Sequence, residues 1–299
     1  MTDLRFSLFA KFQARAGDRP VEGLHAPKVV ELLSYLLVYR DRPHAREALA
    51  ALQWADRPTA QAKKYLRQTL WQIQTALEAG GSPPLLLVDV EWVQVDPQVA
   101  FWLDVTAFEE AFAEARNVPG WQLDGAAAAA LEEAVGLYQG DLLEGCYQDW
   151  CLFERERLQG IYLAMLDKLI GHCEAQHDYQ AGLAYGNRIL RYDRARERTH
   201  RRLMRLHYLA RNRTGALRQY ERCVEALEQE LGVGPSRRTV ALYEQIRADR
   251  LGPGGPEGDG PPPDAAPTLF EVLGRLKELQ AGVDQVQREI HRVELALQE

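Results

Sequence analysis

Apolar residues recur along this chain at different periods, and the periods divide it. Leu4, Phe6 and Leu8 alternate with polar neighbours, as in a half-buried strand. A second short strand is predicted over Phe12 to Arg15, before the turn signal Gly17-Asp18. From Pro27 the spacing becomes helical, with Val29, Leu32, Leu33, Leu36 and Leu37 on one face, until Asp41-Arg42-Pro43 breaks it. A shorter helix is predicted from Arg46 to Leu52. Pro58-Thr59 opens a long third helix that runs to about Ala79, where Gly80-Gly81-Ser82-Pro83-Pro84 ends it. Two β-rich runs follow, Leu85–Val88 and Trp92–Val95, close enough to form a hairpin.

Strands, three helices and a closing hairpin are the order of a winged helix-turn-helix, an α/β domain over residues 1–104. In that arrangement the third helix buries one stripe against the first two and leaves its other face for the major groove. Leu66, Leu70, Ile73 and Leu77 form the buried stripe. The opposite face carries Gln61, Lys64, Gln68, Trp71, Gln72 and Thr75, with Arg67 on its flank. Lys and Arg neutralise phosphate, Arg reads guanine and Gln reads adenine. Lys63, Lys64, Arg67, Gln68, Trp71 and Gln72 are therefore the candidate DNA contacts. On composition alone the same face reads equally well as a solvated helix surface.

Residues 105–251 are patterned as helix almost throughout. Ala181, Tyr185 and Ile189 recur as Ala216, Tyr220 and Val224 at a spacing of 35, close to the period of tetratricopeptide helix pairs. Such repeats stack into concave binding surfaces. Residues 252–267 hold five glycines and six prolines, the composition of a linker. In 268–299, Leu269, Val272, Leu276, Leu279, Val283, Val286, Ile290, Val293 and Leu297 alternate spacings of three and four, a coiled-coil seam. A lone helix of that length is marginal in water, so the seam points to self-association, or else to docking on the chain's own body. Valines at the second heptad position argue against a simple two-stranded zipper. Gly274 and Gly282 weaken the seam. The fold class is thus mainly α: a winged helix-turn-helix, a tetratricopeptide-like helical domain and a C-terminal coiled coil.

Charge sharpens the division. The net charge of −7 over 299 residues hides a neutral 1–104, an acidic 105–187 and a basic 188–222 with twelve arginines against three acids. Arg191, Arg194, Arg198, Arg201, Arg202 and Arg205 form a candidate patch for phosphate or an acidic partner. The alternative is pairing with the acidic stretch that precedes them. The four cysteines (Cys146, Cys151, Cys173 and Cys223) lack CxxC spacing. They read as reduced structural thiols on helices, in a cytoplasmic protein. No apolar run is long enough for a membrane span, and the N-terminus lacks the pattern of a secretory signal. No HExxH, GxSxG or clustered Cys/His pattern is present, so no enzyme, metal or cofactor is expected. His25 and His44 are isolated. Asp89, Glu91, Asp96 and Asp104 read as turn and strand-end residues.

Several stretches together resemble a known family. They are Leu8-Phe9 with Lys28-Val-Val-Glu-Leu-Leu-Ser-Tyr-Leu-Leu, and Tyr65-Leu-Arg-Gln-Thr-Leu in the third helix. Then come Trp102-Leu-Asp-Val with Phe108, and Tyr138-Gln-Gly-Asp-Leu-Leu-Glu-Gly followed by Asp149-Trp150 and Glu154-Arg-Glu-Arg-Leu. Last are Leu217-Arg-Gln-Tyr-Glu-Arg-Cys and Glu230-Leu-Gly-Val-Gly-Pro-Ser. In this order over residues 4–250 they resemble the bacterial transcriptional activator domain (BTAD) proteins, which include the antibiotic regulatory activators. The resemblance implies a winged helix on tetratricopeptide-like helices, binding to promoter DNA, often at direct repeats, and recruitment of RNA polymerase. Larger members add an ATPase domain; here no GxxxxGK[ST] motif is present, and the predicted coiled coil takes that place.

Two departures stand out. Where relatives carry a wing like D-G-R-G-Y-R, this chain has Asp89-Val90-Glu91-Trp92-Val93-Gln94. An acidic wing tip is repelled by phosphate. The late arginine of the third helix is also absent, with Ile73-Gln74 in that stretch. The reading is a DNA-binding transcriptional regulator, an activator by resemblance. Its partners are promoter DNA, RNA polymerase or another protein, and further copies of itself. The alternative is an oligomeric protein-interaction adaptor whose winged helix no longer binds DNA. On small-ligand sensing in the helical groove the sequence is silent.

Overall fold

The structure is a computed structural model that describes residues 4–81 and 83–251. The expected linker and coiled coil lie outside these residues. The described chain is mainly helical, with two small sheets near its N-terminus. No described helix is long and apolar enough to cross a membrane. Contacts divide the described residues into two compact units, one of residues 4–109 with 137–158 and one of 110–136 with 159–251.

The first unit opens with β1 (Leu4–Ser7), β2 (Gln13–Ala16) and β3 (Arg19–Pro20), antiparallel neighbours in one sheet. Next come α1 (Pro27–Val38), β4 (His44–Ala45), α2 (Arg46–Gln53), α3 (Thr59–Ala79), β5 (Leu86–Val88), β6 (Trp92–Val95) and β7 (Trp102–Leu103). β7 lies parallel to β1, which gives the order β3-β2-β1-β7; the second sheet runs β4-β6-β5. Alternation predicted that Leu4, Phe6 and Leu8 turn inward, and all three are buried. Pro27 stands in the first turn of α1, where its missing N–H costs nothing. Val29, Leu32, Leu33, Leu36 and Leu37 are buried.

Asp104 begins α4 (Asp104–Ala115) and is itself buried. One carboxylate oxygen accepts Leu8 N at 2.8 Å and Phe9 N at 3.0 Å; the other accepts Val105 N at 2.7 Å. The side chain thus caps a helix and fixes the end of β1 at once. Burial pushes its carboxyl up to about 6, against the pull of these amides. The resembling stretch 138–145 runs beside residues 8–10: Leu143 N donates to Leu8 O, Ala10 N to Asp141 O and Glu144 N to Ala10 O. A Cβ on Gly140 would stand 3.1 Å from that of Ala10, so this approach favours glycine. From α6 (Asp149–Ala175), Arg155 donates to the carbonyls of Leu142 and Leu143. Glu154 accepts the Tyr39 hydroxyl at 3.0 Å and Arg157 Nε at 2.7 Å, and Arg157 also pairs with Glu109 at 2.5 Å. Glu154 and Arg157 of the Glu154-Arg-Glu-Arg-Leu stretch therefore form a buried polar clasp.

The second unit contains α5 (Gly125–Leu137) up to Gly136, the remainder of α6, and α7 (Tyr179–Tyr192), α8 (Glu197–Leu209), α9 (Arg213–Leu231) and α10 (Arg237–Arg247). One turn occurs twice in it. His177 (φ 61°) precedes Asp178, whose N–H bonds Cys173 O and whose carboxylate caps α7 at Ala181 N. Thirty-four residues on, Arg211 (φ 59°) precedes Asn212, whose N–H bonds His207 O and whose side chain caps α9 at Gly215 N. All four cysteines are buried and free. Cys146 corrects the expectation that all lie on helices, because it sits in the loop before α6.

His200, buried in α8, has both ring nitrogens engaged: Nε2 with Arg194 O at 2.8 Å and Nδ1 with Gln219 Nε2 at 2.8 Å. Nε2 donates and Nδ1 accepts, which fixes the neutral tautomer. Burial, with Arg222 adding to it, holds the ring below its usual 6.5. His44 and His207 shift in the same direction by burial. The unfolded chain takes up these protons near pH 6.5 while the folded chain does not, so stability falls as pH drops below that value. Urea unfolding at pH 7.5 and 5.5 is expected to show this loss, and His200→Gln is expected to remove part of it. An identical pH difference in the variant would contradict the role given to His200.

Candidate nucleic-acid interface

α3 enters after Pro58, whose carbonyl accepts Gln61 N and Ala62 N. Its inner stripe of Ala62, Leu66, Thr69, Leu70, Ile73, Ala76 and Leu77 is buried, and the helix packs on α1 and α2. Trp54, which closes α2, lies 6.1 Å from the Tyr65 ring and steadies the turn between the two helices. With one face anchored, the other is fixed in direction. Lys64, Arg67, Gln68 and Trp71 stand on it exposed, and none has a hydrogen bond, ion pair or ring contact among the described residues.

The other two candidates on α3 are engaged. Lys63 pairs with Glu47 of α2 at 2.5 Å, an exposed pair that contributes little to stability. Gln72 is half-buried and donates to Gly23 O at 3.2 Å, so it is directed at the chain's own backbone.

The hairpin expected to form the wing is β5–β6. Asp89 N donates to Trp92 O, and the Asp89 carboxylate accepts Glu91 N at 3.1 Å, closing the turn. Arg46, the first residue of α2, donates from its guanidinium to Asp89 O at 2.8 Å and from its backbone to Glu91 O at 2.9 Å. A cation therefore stands beside the two wing acids although the hairpin has none of its own. Sequence reasoning missed Arg46 because 43 residues separate it from Asp89. At the tip Val90 is 88% exposed, and Leu87 and Val88 are exposed behind it.

The arginine block is largely turned inward. Arg202 and Arg196 both pair with Asp167 of α6, at 3.3 and 2.6 Å. Arg205 bonds Glu174 at 2.7 Å, and Arg201 donates to Thr239 at 3.2 Å. Arg198 is half-buried. Arg191 and Arg194 are exposed, the latter 3.8 Å from Glu230. The interior pairing with the acidic stretch is thus what the geometry shows for Arg196, Arg202 and Arg205. Two of the acids read as turn residues make turns: Asp96, like Asp89, accepts an amide two residues on. His44 is buried, with Nε2 at Tyr39 O.

Residues 103–247 match the family described as bacterial transcriptional activator domain. That stretch of the chain therefore resembles a bacterial transcriptional activator domain. The match to the activator domain begins at β7, takes in Asp104, residues 138–145 and the Glu154–Arg157 clasp, and ends with α10. Among solved structures, Mycobacterium tuberculosis EmbR in complex with a low affinity phosphopeptide is similar at a TM-score of 0.63 and 21% identity. The likeness covers 84% of this chain and 66% of that one, and it shows a shared fold. No curated protein sequence matches the chain.

Proposed function

We propose that this activator-domain protein is a DNA-binding transcriptional regulator, an activator, that lays α3 in the major groove. Lys64, Arg67 and Gln68 lie nearest the bases, and Lys63 exchanges Glu47 for a phosphate. The observation that carries this reading is the outward face of α3. Two cations, an amide and an indole are held there on an anchored helix with no partner of their own among the described residues. The winged helix comprises residues 1–104 and the helical domain residues 105–251. The helical domain is tetratricopeptide-like, supported by the turn that recurs after 34 residues, and it offers a surface to RNA polymerase or another protein. Residues 268–299 join protomers through a coiled coil, raising the local concentration of a weak reading head. The protein works in the cytoplasm without catalysing a reaction.

Anisotropy titration of the chain against DNA from upstream of its own gene tests this across a salt series. Log affinity is expected to fall linearly with log salt, by about 0.9 for each phosphate neutralised. A folded chain that binds no duplex at low salt would support the second reading, an oligomeric adaptor. One observation favours that reading: the wing tip joins an exposed Val90 to two acids, a surface better suited to protein than to phosphate.

A further inference from the structure

We infer that Trp71 makes the apolar contact with the 5-methyl group of one thymine in the major groove and so sets the base preference at that position. This rests on the DNA-binding reading of α3 and names what part of that face selects. The large aliphatic residues of α3 (Leu66, Leu70, Ile73 and Leu77) are buried, whereas Trp71 is 67% exposed. Trp54 packs on Tyr65, Trp150 on Tyr35, and Trp102 lies under Arg5. Trp71 has no such contact among the described residues. A large apolar ring left in water on an otherwise polar face has apolar area to bury only when something covers it.

Its position narrows what that is. Trp71 stands two turns beyond Lys64, about 10.5 Å along the axis, with Arg67 and Gln68 between them. The face therefore spans about three base-pair steps. Lys64 and Arg67 suit phosphate and guanine, and Gln68 suits adenine. The apolar group that base edges present in the major groove is the thymine methyl. An uncharged indole can reach the sugar–phosphate backbone only through its single Nε1–H, whereas the rest of its flat apolar surface has the thymine methyl group to cover.

The test needs no known operator. Duplexes are selected from a randomised library with the intact chain. Each thymine of the selected site is then replaced by uracil, which removes only the methyl group. Affinities are measured at fixed salt for the parent, Trp71→Ala and Trp71→Phe, with circular dichroism as the check on folding. At one thymine the parent is expected to lose about fourfold, the value of burying one methyl group. Trp71→Ala is expected to be insensitive at that position, and Trp71→Phe to retain part of the effect. Uracil tolerated everywhere by the parent, or an effect undiminished in Trp71→Ala, would overturn the assignment while leaving DNA binding intact. A folded parent that selects no duplex would instead overturn the DNA-binding reading, and this assignment with it.

Discussion

An Asp104→Ala chain is expected to lose about 3 kcal/mol of folding free energy, the cost of leaving three buried amide donors without an acceptor at about 1 kcal/mol each. The donors are Leu8 N, Phe9 N and Val105 N, so the loss frees the end of β1 and uncaps α4 together. Urea unfolding at neutral pH measures it. Asp104→Asn separates the two sides of the effect. Its oxygen keeps the bonds to Leu8 and Phe9, while its NH2 faces Val105 N, so it is expected to lose about 1 kcal/mol. Asn also removes a titration. With the carboxyl pushed up to about 6 in the folded chain and near 3.8 when unfolded, the extra stability from protonating it is full below pH 3.8 and is lost as pH rises through 6, while its hydrogen bonds remain at neutral pH. That direction is opposite to His200. The parent is therefore expected to gain on Asp104→Asn as pH falls from 7 toward 4. A constant difference between them over that range would show that Asp104 does not titrate there.

The second large effect is on binding. Lys64→Ala with Arg67→Ala is expected to weaken the complex by about 2 to 4 kcal/mol, on the order of 30- to 700-fold at fixed salt. The salt slope should flatten by about one unit for each phosphate that the variant no longer neutralises. Both side chains are exposed and have no partner among the described residues, so unfolding is expected to stay unchanged. Lys63→Ala serves as the graded control. Its ammonium already has Glu47, and its removal also leaves that acid beside the DNA. An unaltered affinity in the double variant would move the interface away from α3.

The contrast between these two sites shows what was legible in the chain. α3 was readable because a helix writes its two faces at fixed spacing. Leu66, Leu70, Ile73 and Leu77 fall on one face by local geometry alone, and the anchored face defines the free one. The hairpin and the first helix were readable from period and turn residues in the same way. Asp104 was visible as a strand-end acid, but its role was not, because its carboxylate meets amides 96 and 95 residues away. Arg46 escaped notice because the wing it steadies lies far along the chain. The arginine block illustrates the opposite problem. Composition shows that Arg202 and Arg205 are cations, but not that Asp167 and Glu174 of α6 meet them. Lys63 and Gln72 likewise sat correctly on α3, yet Glu47 and Gly23 O are what they touch. Periodicity gives faces; partners distant in sequence are settled only by packing.

The joint that recurs at His177 and Arg211 has a bearing on how such a chain changes length. Each copy carries its own left-handed residue, its own helix cap and its own bond back to the preceding helix. A block of 34 residues duplicated between them would arrive with a finished hinge and meet one of the same kind. The helical unit can thus be lengthened or shortened in whole modules, with new surfaces acquired by drift on the exposed faces while the hinges are inherited ready-made.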